Sequence, residues 1–305
     1  MRTALIASLV MAGALLAAGC GGGDDTAATT ATASTSTTAT AAGIAGCETN
    51  QLGLLDSSGA TLTIGADNPA YPPWFVGEPT TKPWKVSDPN SGKGYESAVA
   101  YAVAKQLGIS KANVKWTVTP FNNSFRPGKK SFDFYITQVS YNPQRAKAVD
   151  FSKGYYFVNQ SVVGRKGKPI ASVTSINDLK AYKLGAQVGT TSYDYIVDQI
   201  KPDSSPKVYD TNDAAVQALK NGQIDGLVVD LPTAFYVTAV QVPDGKVIGQ
   251  FPAAGAKEHF GLVLPKGSNL TACADKALDQ LWANGTIDNL KTIWLSKATG
   301  APVLK

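Results

Sequence analysis

One arginine, one aspartate and a Gly-Thr-Thr-Ser turn, each at the end of a predicted strand, hold the chemistry to recognise a zwitterion. The stretch 132–152, FDFYITQVSYNPQRAKAVDFS, runs an apolar strand into Asn142-Pro143. Asn is a favoured N-cap, and Pro suits the first helical position, whose N–H has no partner within the helix. The spacing predicts a short helix with Arg145 in its first turn. A cation there opposes the helix dipole, at a cost of about a few tenths of a kcal/mol, and a bound carboxylate would offset it. Asp67, Tyr71 and Trp74 follow the first strand, and Gln138, Ser140 and Arg145 follow the third. In a second series of elements, Gly189, Thr190, Thr191 and Ser192 follow the first strand and Asp230 follows the third. A guanidinium and helix N-terminal N–H groups suit a carboxylate, and an aspartate suits an ammonium. Each residue also has a plain structural reading. Arg145 could pair with Asp150, Asp230 could only cap the helix from Leu231, residues 189–192 could be an ordinary turn, and Tyr71 and Trp74 could pack among Pro69, Pro72 and Pro73.

The elements that must position these residues alternate between strand and helix. Strands are expected at 61–66 (TLTIGA), 114–119, 134–139 and 155–164, with a helix at 96–107 (ESAVAYAVAKQL) that stops at Gly108. The pattern then restarts: strand 183–188, helix 192–200, strand 207–209, helix 212–219, strand 226–229 and a helix from Leu231. SFDFYIT in the first series and QIDGLVV in the second share an apolar residue, Asp and an aliphatic strand. Alternation of this kind predicts α/β lobes, each an open and mostly parallel sheet. A further strand at 259–264 and a helical region to about residue 295 return most economically to the first lobe. The chain then crosses twice, near 159–164 and 256–261, which makes a two-strand hinge and a cleft. Ligands of open α/β sheets bind beyond the carboxyl ends of the strands.

Composition narrows the function. The formal net charge is +5 over 305 residues, without a like-charge run or an aromatic-basic stripe, so nucleic acid is not an expected partner. A single histidine, His259, lies in a predicted hinge strand, which leaves no Ser-His-Asp triad and no H-E-x-x-H; C-x-x-C, Walker and G-x-G-x-x-G motifs are also absent. No catalytic residue, metal or cofactor is expected. Residues 1–19 carry Arg2, an apolar run and small residues, the pattern of a secretory signal peptide. Leu16-Ala17-Ala18-Gly19-Cys20 resembles the lipobox of bacterial lipoproteins, which implies that Cys20 bears lipid. Residues 20–46 then form a Gly/Ala/Ser/Thr tether that cannot bury a core. With Cys20 lipidated, Cys47 and Cys273 remain, and a disulfide between them is expected in an oxidising compartment.

The segments TLTIGADNPAYPPWF, GKGYESAVAYAVAKQLG, KKSFDFYITQVSYNPQRAKAVDFSKGYY, LGAQVGTTSYDYI, NGQIDGLVVD and HFGLVLPKGS cover nearly all of residues 61–295. Together they resemble a type II periplasmic solute-binding protein of family 3, the polar amino acid ABC transporter class. The resemblance implies lobe 1 from 47–160 and 258–305 and lobe 2 from 161–257. It implies that Arg145 and the Thr191 N–H hold a ligand carboxylate, that Asp230 takes the amino group with Ser140 and the Gln138 carbonyl, that Tyr71 stacks on the ligand and that Asp67 faces its side chain. It further implies a receptor outside the cytoplasm, lipid-anchored to the cell membrane, that hands a polar or cationic amino acid to ABC permease subunits. A lyase of the cyclohexadienyl dehydratase type and a ligand sensor for a signalling partner remain alternatives on the same fold. Three departures stand out: Asn142 replaces the usual Thr, the 77–92 loop is long enough to cover the cleft mouth, and FNNSF at 121–125 is unusual.

Overall fold

The computed structural model describes residues 43–78, 82–252, 257–296 and 300–305. The signal segment, Cys20 and most of the tether fall outside them. In chain order the first half gives β1 (Leu62–Ala66), α1 (Tyr95–Gln106), β2 (Val114–Val118), α2 (Phe121–Ser124), β3 (Phe134–Tyr135) and β4 (Val149–Phe157). The second gives β5 (Gln160–Arg165), β6 (Leu184–Gln187), α3 (Thr191–Tyr195), β7 (Lys207–Tyr209), α4 (Asn212–Lys220), β8 (Gly226–Asp230), α5 (Leu231–Tyr236) and β9 (Gly245–Gln250). The chain closes with β10 (His259–Pro265), α6 (Leu270–Ala283) and α7 (Thr286–Leu295). Among the described residues no helix is long and apolar enough to cross a membrane.

Two five-stranded sheets result, in the orders β2-β1-β3-β10-β4 and β7-β6-β8-β5-β9. In each, four strands run in one direction and one hinge strand, β10 in the first and β5 in the second, runs antiparallel to them. The sheets are therefore mixed, because a strand that leaves for the other lobe and one that returns from it must run in opposite senses. β9 completes the second sheet; its Gly and Lys interrupt the apolar pattern, and the sequence alone did not reveal it. β3 is only two residues long, since the chain bends at Gln138 (φ 42°) instead of continuing to 139. The crossings β4–β5 and β9–β10 lie side by side, with His259 paired to Phe157 and the Val158 N–H donating to the Glu258 carbonyl (3.0 Å).

Each lobe has its own core. Trp74, Tyr95, Phe134, Tyr155, Phe260 and Leu278 are buried together in the first, and Val162, Leu184, Ile196, Val228 and Phe251 in the second. The C-terminus departs from the expected lobe 1 range. Val303 pairs with Gln250 and Leu304 is buried against the second-lobe core. The apolar Leu304 and the free edge of β9 account for this return.

The loop that carries Tyr71 and Trp74 is fixed by the start of α1. The Tyr95 and Glu96 N–H groups donate to the Pro73 and Trp74 carbonyls (3.0 and 2.9 Å). Gly94 permits this approach: its φ is +91°, and a Cβ there would lie 2.5 Å from the Trp74 carbonyl oxygen. The described residues of the 77–92 loop pack on the first lobe through Trp84, which is buried in that core, and are not among those that line the cleft.

Cys47 and Cys273 form a disulfide that ties the chain ahead of β1 to α6. The bridge closes a loop of 226 residues, so replacing both cysteines by serine should lower unfolding free energy by about 2–5 kcal/mol. The urea midpoint of the double variant measures this, and an unchanged midpoint would refute it.

Candidate functional site

A cavity of about 180 Å³ lies between the two sheets. Asp67, Tyr71, Trp74, Gln138, Ser140 and Arg145 line it from the first lobe, and Thr190, Thr191, Ser192 and Asp230 from the second. Of the residues singled out in the sequence, only Gly189 is not in the wall; its carbonyl instead accepts from Arg145.

Arg145 is 9% exposed. Its Nη1 donates to the Ser140 carbonyl (2.7 Å) and its Nη2 to the Gly189 carbonyl across the cleft (2.6 Å). The guanidinium also lies over the rings of Phe125 (4.4 Å) and Phe121 (5.7 Å). That gives the FNNSF departure a role: its two phenylalanines wall the cation. Burial lowers the Arg145 pKa to about 10, with Asp194 and Glu258 acting in the opposite direction. It therefore keeps its charge at neutral pH. The ion pairs among the described residues lie elsewhere, and Asp150 pairs with Lys266 (3.0 Å), not Arg145. The expected helix is a single 3-10 turn, Arg145–Lys147, whose start Asn142 Oδ1 braces by accepting from the Gln144 N–H (2.7 Å). One turn carries little macrodipole, so burial of the cation, more than a dipole, is what a partner must offset.

On the opposite wall, Thr190 caps α3 by accepting from the Tyr193 N–H (3.2 Å). The first-turn N–H groups of a helix lack partners within it, which leaves Thr191 and Ser192 suited to an anion. Asp230 accepts from the Thr233 N–H (3.0 Å) and so caps α5. It also lines the cavity, so capping and exposure to the cleft coexist. Burial raises its pKa to about 6, partly opposed by the Thr233 hydrogen bonds.

Tyr71 lies 5.6 Å from the Tyr236 ring and donates to Asp213 Oδ2 (2.7 Å). Asp67 takes the Asn68 N–H (2.8 Å), and burial raises its pKa. Trp74 Nε1 donates to Thr233 Oγ1 (3.3 Å). Bonds from Tyr71, Trp74, Arg145 and Thr191 therefore join the lobes, which stand closed on one another.

The profile of the bacterial extracellular solute-binding proteins, family 3, matches residues 74–297. The chain belongs to that family. Similar proteins include the arginine-binding extracellular protein ArtP of Bacillus subtilis (strain 168), 28% identical over 70% of this chain and 82% of ArtP. The L-cystine-binding protein TcyJ of Escherichia coli (strain K12) is 27% identical over 80% of this chain and 85% of its own. Among solved structures, an ancestral arginine-binding protein bound to arginine superimposes with a TM-score of 0.61 at 28% identity, over 77% of this chain and 98% of that one. The fold of this solute-binding protein is thus the two-lobe type II arrangement.

Several polar residues that line the site or brace its wall are not among those the sequence singles out, Asp213, Gln160, Glu258 and Glu96 among them. Asp213 follows β7, so the strand-end rule used for the others points to it. Gln160 and Glu258 sit where the two hinge strands start, and hinge positions were read only as connections. Glu96 is fully buried on α1 and accepts from the Gln138 N–H (2.7 Å), the Gln138 side chain and the Tyr155 hydroxyl (2.5 Å). No periodicity marks a carboxylate in an apolar helix face as structural.

Because Asp230 holds its proton up to a pH of about 6, a cationic group placed against it must displace that proton under acidic conditions. Affinity for such a group should fall as the pH drops from about 7 to about 5, with protons released on binding. Calorimetry in buffers of different ionisation enthalpy reads the release. An Asp230→Asn variant should bind more weakly at neutral pH and lose the slope.

Proposed function

We propose that this protein captures an α-amino acid with a cationic side chain outside the cytoplasm and delivers it to the permease subunits of an ABC importer. The carrying observation is Arg145, a buried cation without a carboxylate ion partner among the described residues, in one cavity with Asp230. Arg145 and the α3 N-terminus take the ligand carboxylate, and Asp230 with Ser140 takes the ammonium. Gln138 presents its backbone to the cleft because its side chain is held by Glu96.

Charge favours a basic side chain. Once Arg145 and Asp230 are matched to the zwitterion, Asp67 and Asp213 remain in the wall, and no second cation is among the described lining residues. Tyr71, Tyr236 and Phe121 flank that end, and aromatic faces attract a guanidinium or ammonium. Family membership supports capture over turnover. The named relatives bind arginine and cystine, so the family alone does not fix the ligand.

Closure is the transport signal in this reading. The ligand bridges wall groups of both lobes, and the closed face docks on the permease. Cys20, at the end of the signal segment, carries the lipid that holds the receptor at the membrane.

Titration calorimetry with L-arginine, L-lysine, L-glutamine and L-cystine tests the ligand, and tightest binding of L-glutamine or L-cystine would overturn the cationic reading. Arg145→Ala should weaken binding by about 2–5 kcal/mol, because the ligand carboxylate is then buried without its partner. Retained affinity would remove Arg145 from the clamp. Cys20→Ser should release the receptor from the membrane fraction into the medium or periplasm, as immunoblotting of fractions would show.

A further inference from the structure

We propose that Glu258 is a positioning residue whose carboxylate takes the hydroxyl protons of Ser140 and Thr191 and so presents both oxygens to the ligand as hydrogen-bond acceptors. The proposal rests on the amino acid reading above and deepens it, by naming what makes the site select an ammonium.

Glu258 sits at the hinge, immediately before β10, and its backbone carbonyl is held by the Val158 N–H (3.0 Å). It is not in the cavity wall, whereas Ser140 and Thr191 are. Thr191 Oγ1 lies 2.7 Å from Glu258 Oε1, and Ser140 Oγ donates to the same oxygen. Thr191 Oγ1 is also 3.3 Å from Ser140 Oγ, a longer and weaker alternative for its single proton. A hydroxyl has one proton to give and two lone pairs. With both protons committed to a carboxylate, which can only accept, the two oxygens can only accept from a ligand. Asp230 adds a third acceptor in the same cavity. A ligand N–H group is matched there, and a second carboxylate is repelled.

The orientation is enforced by one further bond in the chain. Ser192 Oγ donates to Gln160 Oε1 (2.6 Å), which fixes that amide. Gln160 Nε2 therefore faces Glu258 and donates to Oε1 and Oε2 (3.1 and 3.2 Å). An amide at position 258 meets a conflict. Its NH2 group must face either the NH2 of Gln160, donor against donor, or the two hydroxyls. In the second case the hydroxyl protons swing toward the ligand ammonium.

The test compares Glu258→Gln with the unaltered protein on two ligand pairs: L-arginine with 5-guanidinopentanoate, and L-lysine with 6-aminohexanoate. The second member of each pair lacks the α-ammonium. Glu258→Gln is expected to weaken binding of the amino acids by about tenfold or more and to leave the deaminated analogues within about threefold. Ser140→Ala should likewise weaken the amino acids, but little further in the Glu258→Gln background. A uniform loss across all four ligands assigns Glu258 a purely structural role and overturns the proposal, as does no loss at all. Failure of the unaltered protein to bind any of the four overturns the cationic amino acid reading itself, and the proposal with it.

Discussion

A buried guanidinium that has no carboxylate ion partner among the described residues is the constraint around which the cleft is organised. Removing a cation from water costs several kcal/mol unless other groups replace the lost hydration. Around Arg145 the replacement is partial: two carbonyls and two aromatic faces, each a dipole or quadrupole and none a full negative charge. A carboxylate from within the chain would satisfy the cation permanently and close the site. Leaving it incomplete gives an anion in the cleft a partner already held in position, with its desolvation met during folding. The two carbonyls come from different lobes, Ser140 from one and Gly189 from the other. The same cation therefore ties the two lobes to one another.

That arrangement depends on the hinge topology. Each sheet contributes three parallel strands whose carboxyl ends face the gap, and the crossing strands bind the two halves at the rear. Gly189 shows how closely the lobes approach: its φ is +74°, and a Cβ there would stand 2.7 Å from Asn122 Oδ1 of the facing lobe. A side chain would strain the turn and require the Asn122 amide to move. The interlobe bonds of Tyr71, Trp74, Arg145 and Thr191 involve residues that line the cavity.

Much of this was legible in the sequence, and the reasons differ by residue. Arg145, Thr191 and Asp230 follow strands with clear apolar runs and turn chemistry, so local pattern placed them at strand ends, and the repeat of pattern placed those ends in two lobes. Asp213 obeys the same rule but falls in the first turn of α4, where an acidic residue is ordinary helix chemistry and does not advertise a wall position. β9 and the C-terminal return of Leu304 were hidden because both depend on tertiary pairing with a sheet edge rather than on periodicity. Glu258 was hidden for another reason. It contacts Ser140, Thr191 and Gln160, which are separated from it by 118, 67 and 98 residues, and only the folded hinge brings them together.

Two carboxylates that never needed to be ligand groups brace the loop that carries the first-lobe wall. Glu96 holds Gln138 from inside the lobe, through its backbone N–H and its side chain, and Glu258 holds Ser140 from the hinge. Gln138 adopts a left-handed conformation that a glutamine does not favour by itself, so the bonds to Glu96 must stabilise it. Burial raises the Glu96 pKa to about 7, with the Tyr155 and Gln138 bonds pulling the other way. Its ionised form is thus the one those donors favour and the one the core resists. Tyr155, which donates to Glu96, lies on β4, the strand that leads into the hinge. The loop between β3 and Arg145 is therefore coupled through Glu96 to one crossing strand and through Glu258 to the other. Rotation about the hinge cannot leave that loop untouched, which links the positions of Ser140 and Arg145 to the relative placement of the lobes.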